Sequence, residues 1–80
     1  MNEEIYEKLA ELLKNNYGTD TALTGQTAFR ADLGLSSFQM MCLLGDIEDE
    51  FSVRIDYKEA AKLVTVADAV SLIEKARQDA

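Results

Sequence analysis

The sequence predicts an all-α fold: a bundle of three main helices and one short helix, with a long loop between the first two main helices. Three observations lead there. Apolar residues recur three and four positions apart in separate stretches, a spacing that gathers them on one helical face. Residues able to cap a helix stand ahead of those stretches. The alternating, strand-like run has no second run to pair with, and a lone strand leaves its backbone groups without partners. Residues 1–80 read as a single domain whose core is at the low end of what folds alone.

Residues 2–17 form the first predicted helix, with Ile5, Leu9, Leu12 and Leu13 on its buried face. Asn2 is placed to cap it, and Glu3 and Glu4 suit the positive end of the helix dipole. Gly18 is the expected stop, because glycine tolerates the left-handed conformation after a helix end. Residues 18–35 are a connection rich in turn formers: Thr19, Asp20, Thr21, Thr24, Gly25, Thr27 and Gly34. Leu23, Phe29, Leu33 and Leu35 read as anchors that pin this loop to the core. A loop of this length in a small domain is often functional.

Residues 36–51 form the second helix, with Met40, Leu43, Leu44, Ile47 and Phe51 on one face. Ser36 and Gln39 have the S-x-x-Q spacing of a capping box. Residues 52–55 alternate apolar and polar, and the reading is a loop that buries Val53 and Ile55. Asp56 and Glu59 repeat a capping pattern ahead of a short helix at 57–61. Thr65 caps the last helix, whose buried stripe is Val66, Ala69, Val70, Ile73 and Ala76. Lys75 and Arg77 suit its negative end.

Composition excludes several classes of function. Apolar residues make up 48 % of the chain, and 15 acidic side chains against 8 basic ones leave a net charge of −7. An acidic chain repels phosphate backbones, so nucleic acid is not an expected partner, whereas a basic protein surface is. There is no histidine, so histidine-based triads, metal ligands and acid–base catalysts are absent. One cysteine makes no internal disulfide, which fits a reducing, cytoplasmic compartment. The acidic start of the chain does not read as a signal peptide, and no apolar run approaches the roughly 20 residues of a membrane span. A small acidic monomer that binds rather than catalyses is the expectation.

Candidate chemistry centres on Ser36 and Ser37. If Ser36 is the N-cap, Ser37 takes the first helical position, where free N–H groups and the helix dipole favour an anion such as a phosphate ester. The plainer reading is that both serines only start a helix, and spacing alone favours it. No neighbouring base activates either hydroxyl as a nucleophile.

The run Asp32-Leu33-Gly34-Leu35-Ser36-Ser37-Phe38, followed by a helix ending Ile47-Glu48-Asp49-Glu50-Phe51, resembles the acyl carrier proteins. That family shows Asp-Leu-Gly, a variable residue, Asp-Ser-Leu, and then an amphipathic helix ending in acidic residues and Phe. Phe29 precedes the motif at the matching distance, and Lys62-Leu63-Val64-Thr65-Val66 resembles the approach to the family's last helix, so the likeness spans nearly the whole chain. The resemblance implies a 4′-phosphopantetheine group attached to Ser37 as a phosphodiester, with acyl groups held as thioesters on its thiol. The chain would then perform no chemistry itself. Implied partners are a phosphopantetheinyl transferase, an acyl- or aminoacyl-activating ligase, and synthases or acyltransferases with basic docking surfaces. Cargo from fatty acid or polyketide biosynthesis fits the acyl version. Two alternatives stay open: an aminoacyl (peptidyl or D-alanyl) carrier, and an unmodified helical interaction module of the same fold. The acidity and the Asp-Leu-Gly favour the acyl version.

Two positions depart from the family pattern. Ser36 stands where Asp is usual, and Phe38 where Leu is usual. Gln39 and Cys42 are neutral, so the acidity of this helix concentrates at its far end, in Asp46, Glu48, Asp49 and Glu50. Acidic residues there oppose the helix dipole at about 0.3–1 kcal/mol each, which points to docking on basic enzyme surfaces rather than to a solvated face alone. Met41 is a candidate exposed contact, with a core position as the competing reading. Cys42 reads as structural or incidental, since no basic neighbour, second cysteine or histidine supports reactivity or a metal site. By the resemblance, an acyl chain slips between the second and third helices, against Met40, Leu44, Ile47, Ile55, Ala60, Ala61 and Leu63. The same residues also serve as ordinary core candidates.

Overall fold

A computed structural model describes residues 2–19 and 22–79. In chain order the helices are α1 (Glu3–Tyr17), α2 (Ser37–Phe51), α3 (Tyr57–Ala60) and α4 (Val66–Asp79). The turn-forming Asp20 and Thr21 lie outside the described residues.

Each helix begins where its capping chemistry permits. Asn2 accepts a hydrogen bond from the Ile5 amide at 3.2 Å, and Gly18 closes α1 in the left-handed conformation at φ 67°. Ser36 and Gln39 complete the capping box of α2 reciprocally, at 3.1 and 2.9 Å. Asp56 accepts from the Glu59 amide at 2.9 Å ahead of α3, which ends at Ala60, one residue short of the sequence expectation. Thr65 and Asp68 cap α4 together: the Thr65 hydroxyl accepts from the Asp68 amide, and the Asp68 carboxylate accepts from the Val64 and Thr65 amides.

The core joins Ile5, Leu9 and Leu13 of α1 to Leu43, Ile47 and Phe51 of α2 and to Val66, Val70 and Ile73 of α4. Burying each such side chain contributes about 1.5–3 kcal/mol. Leu72 is also buried, although it falls off the predicted stripe, and Ala76 is only partly buried. On α2, Met40 and Leu44 are half-buried rather than core. Val53 is buried as expected, whereas Ile55 is half-buried.

The loop between α1 and α2 is ordered by its anchors. Phe29 is fully buried, Leu35 nearly so, and Leu23 and Leu33 pack partly against the core. The Tyr6 hydroxyl donates to the Leu23 carbonyl. An isolated antiparallel bridge joins Ala28 to Thr65, with the Phe29 amide donating to Val64 at 3.0 Å and the Val66 amide to Thr27 at 2.9 Å. No local sequence pattern announces this bridge, because it pairs segments far apart in the chain. It ties the loop to the start of α4 and so fixes the approach to α2.

Candidate functional site

The Asp-Leu-Gly segment sets the direction of α2. Asp32 accepts from the Ala28 amide at 2.7 Å and holds a single turn in which the Leu33 amide returns to Ala28 and the Gly34 amide to Arg30. Gly34 then turns the chain at φ 71°, where a side chain is disfavoured. Leu35 is buried, with its amide on the Phe29 carbonyl at 3.1 Å. The backbone therefore reaches Ser36 and Ser37 from a fixed base.

The two serines have different fates. The Ser36 oxygen is engaged in the capping box. Ser37 is the first residue of α2, it is exposed, and its hydroxyl makes no hydrogen bond among the described residues. It opens onto a groove of about 540 Å³. Met40, Met41 and Leu44 line one side of this groove, and Tyr57, Ala60, Ala61 and Leu63 the other, with Arg30 at the loop. A hydroxyl at a helix N-terminus, free of internal partners and beside an apolar groove, fits a covalently attached anionic group with an apolar cargo.

Five of the expected groove residues meet there: Met40, Leu44, Ala60, Ala61 and Leu63. The other two do not. Ile47 is 1 % exposed and faces the α1–α4 core. Ile55 lines a separate cavity with Glu48, Arg54, Asp56, Glu59, Leu72, Lys75 and Ala76. Ile47 is taken up by the core, and Ile55 sits in the loop after α2, where Glu48 holds its amide. Arg30 and Tyr57 line the groove without being anticipated. Only the position of Arg30, next to the anchor Phe29, could have suggested it.

Met41 is 74 % exposed and Phe38 73 %, so the first half of α2 presents an apolar face. Cys42 is exposed too. At the other end of α2 the acidic residues divide. Asp46 accepts from the Tyr17 hydroxyl at 2.8 Å and from Asn16 at 3.5 Å, which ties α2 to the end of α1. Burial raises the Tyr17 pKa well above its usual value, and the hydrogen bond to Asp46 and that carboxylate's charge add to the rise. Glu48 accepts from the Ile55 amide at 2.9 Å and holds the turn after the helix. Asp49 and Glu50 are exposed and enter no ion pair among the described residues. No group of three metal-ligating side chains occurs among the described residues.

The fold and the site define a small helical carrier domain, with a serine offered at a helix start. The chain belongs to the phosphopantetheine attachment site family, which matches residues 3–73. Members of that family carry a covalently attached 4′-phosphopantetheine group. The chain is 40 % identical over 76 residues to an acyl carrier protein of Micrococcus luteus, an alignment covering 94 % of each chain. It is 36 % identical over 73 residues to that of an Exiguobacterium species, covering 90 % of this chain and 92 % of the other. The crystal structure of an acyl carrier protein of Thermotoga maritima superimposes with a TM-score of 0.84 at 26 % identity, covering 96 % of this chain and 91 % of that one.

Proposed function

We propose that this chain is an acyl carrier protein modified on Ser37. The observation that carries the reading is the pairing of a capped Ser36 with a free Ser37 hydroxyl at the groove mouth. When bound, the 4′-phosphopantetheine group supplies a thiol that holds an acyl group as a thioester. The chain's own part is to offer, hold and present. The Ser37 oxygen would attack the pantetheine-side phosphorus of coenzyme A on the transferase as the diphosphate P–O bond breaks and adenosine 3′,5′-bisphosphate leaves. The Ser37 proton would go to a base of that enzyme, because no basic side chain neighbours Ser37 in sequence. The first amides of α2 would offset the diester's negative charge. Met40, Leu44, Ala60, Ala61 and Leu63 offer an apolar wall to an acyl chain.

Docking uses the exposed face of α2. Met41 and Phe38 supply apolar contacts beside Ser37, and Asp49 and Glu50 supply charge for basic partner surfaces. Asp46 and Glu48 add to the same negative field while holding their internal bonds. The partners are a phosphopantetheinyl transferase, an acyl-activating ligase, and synthases or acyltransferases. The domain works as a cytoplasmic monomer. Its described helices include none long and apolar enough to cross a membrane.

The test is sequential loading. The protein bearing its arm is offered a fatty acid with an acyl-activating ligase, and separately an amino acid with an aminoacyl-activating one. The reading expects an added acyl mass that hydroxylamine removes, as a thioester requires. Loading by the aminoacyl enzyme alone would overturn the acyl assignment.

A further inference from the structure

Arg30 lines the groove together with Ser37, and it is the one cation among the described residues that line it. No carboxylate lines that groove among the described residues. In a chain with 15 acidic residues against 8 basic ones, such a cation stands out against the composition. Arg30 enters none of the ion pairs among the described residues, which use Lys62, Lys75 and Arg77. Asp32, two residues on, is turned to the Ala28 amide at 2.7 Å. At the same opening, α2 has no acidic residue in its first turn, so its N-terminal field is not offset there. Two sources of positive potential, Arg30 and the helix N-terminus at Ser37, thus border one groove.

We infer that Arg30 is a binding residue for the phosphodiester on Ser37 and turns the arm across the groove toward Ala60, Ala61 and Leu63. This rests on Ser37 being the attachment residue, as proposed above. The diester's anionic oxygens lie one ester linkage from the Ser37 oxygen, so they stay at the groove mouth whatever the rest of the arm does. A guanidinium fits two phosphate oxygens at once through its fork of donors. The pairing biases the arm toward its sheltered position and leaves it free to swing out to a docked enzyme, because an exposed pair is weak and screened by salt.

The experiment uses the protein bearing the arm and no cargo, so the diester is the only anion added. Wild type, Arg30→Ala, Arg30→Glu and Arg30→Lys are loaded, and intact mass confirms one arm on each and none on Ser37→Ala. An arm surviving in Ser37→Ala would overturn the attachment reading and the Arg30 role with it, whereas an arm confined to Ser37 leaves the Arg30 role to be judged alone by the next measurement. Resonances with and without the arm are then compared by nitrogen–proton NMR, with the phosphorus resonance as a second probe. In wild type the arm shifts the Arg30 side-chain signal and the amides of Ala60, Ala61 and Leu63. These shifts fall by about two- to fivefold in Arg30→Ala and Arg30→Glu, the range of an exposed pair. Arg30→Lys retains most of them, and wild type in about 1 M salt loses them as the alanine variant does. Arg30 is exposed and only its carbonyl is hydrogen-bonded, to Gly34, so the substitutions keep the fold. Equal arm-induced shifts in Arg30→Glu and wild type would overturn the inference.

Discussion

At the residue scale, neighbouring side chains of similar chemistry do different things because their hydrogen bonds differ. Ser36 closes the capping box, and the exposed Ser37 hydroxyl is left without a partner among the described residues. Asp46 shows the same division against Asp49: one is bound to Tyr17, the other faces solvent. The Tyr17–Asp46 bond predicts a pH effect. Its pKa in the folded chain is raised, mainly by burial, above the ordinary value of 10.0. The folded state therefore disfavours the phenolate. The stability this tyrosine contributes is fully present below about pH 10 and is lost as the pH rises beyond it. Tyr17→Phe should cost about 1 kcal/mol at neutral pH and flatten the alkaline loss, as read from urea unfolding at several pH values. An identical alkaline slope in the variant would remove Tyr17 as its source.

At the element scale, the proposed attachment and docking both fall on α2. Its apolar first half and acidic second half were legible as residue types, because helical spacing and caps are local signals. Which acids stay free was not legible, since the partners of Asp46 and Glu48 come from α1 and from the loop after α2. Among the described residues, Asp49 and Glu50 therefore oppose the dipole with no internal bond or ion pair to offset the cost. Asp49→Lys with Glu50→Lys should lower the rate of arm transfer about tenfold at low salt, with the defect shrinking as salt rises and the melting temperature nearly unchanged. A rate independent of these charges would remove them from docking. Gly45 gives a second prediction. A Cβ added there meets nothing within 4 Å, so Gly45→Ala should stabilise α2 by about 0.5–1 kcal/mol in thermal melts.

At the scale of the whole molecule, the helices were readable from periodicity and the groove only partly so. Its walls come from α2, α3 and the segment before α4, so their juxtaposition depends on tertiary packing, which no window of sequence contains. The resemblance puts Ile47 and Ile55 in the groove, yet the core and a separate cavity take them. Arg30 was missed because a single exposed cation in a loop has no pattern. The groove makes a stability prediction of its own. An acyl chain that buries about three methylenes there should add about 2 kcal/mol, or roughly 10 °C in melting temperature. Ala60→Phe, which fills the groove, should remove most of that gain while leaving the unloaded melt within a few degrees. An undiminished gain in the variant would place the cargo elsewhere.

All three scales depend on the group being attached to Ser37. The most direct measurement is the intact mass of wild type, Ser36→Ala and Ser37→Ala after incubation with coenzyme A and a broad-specificity phosphopantetheinyl transferase. Attachment at Ser37 predicts one arm on wild type and on Ser36→Ala, the latter destabilised by about 1 kcal/mol through loss of its cap, and no arm on Ser37→Ala. An arm retained by Ser37→Ala, or an unmodified wild type, would contradict it.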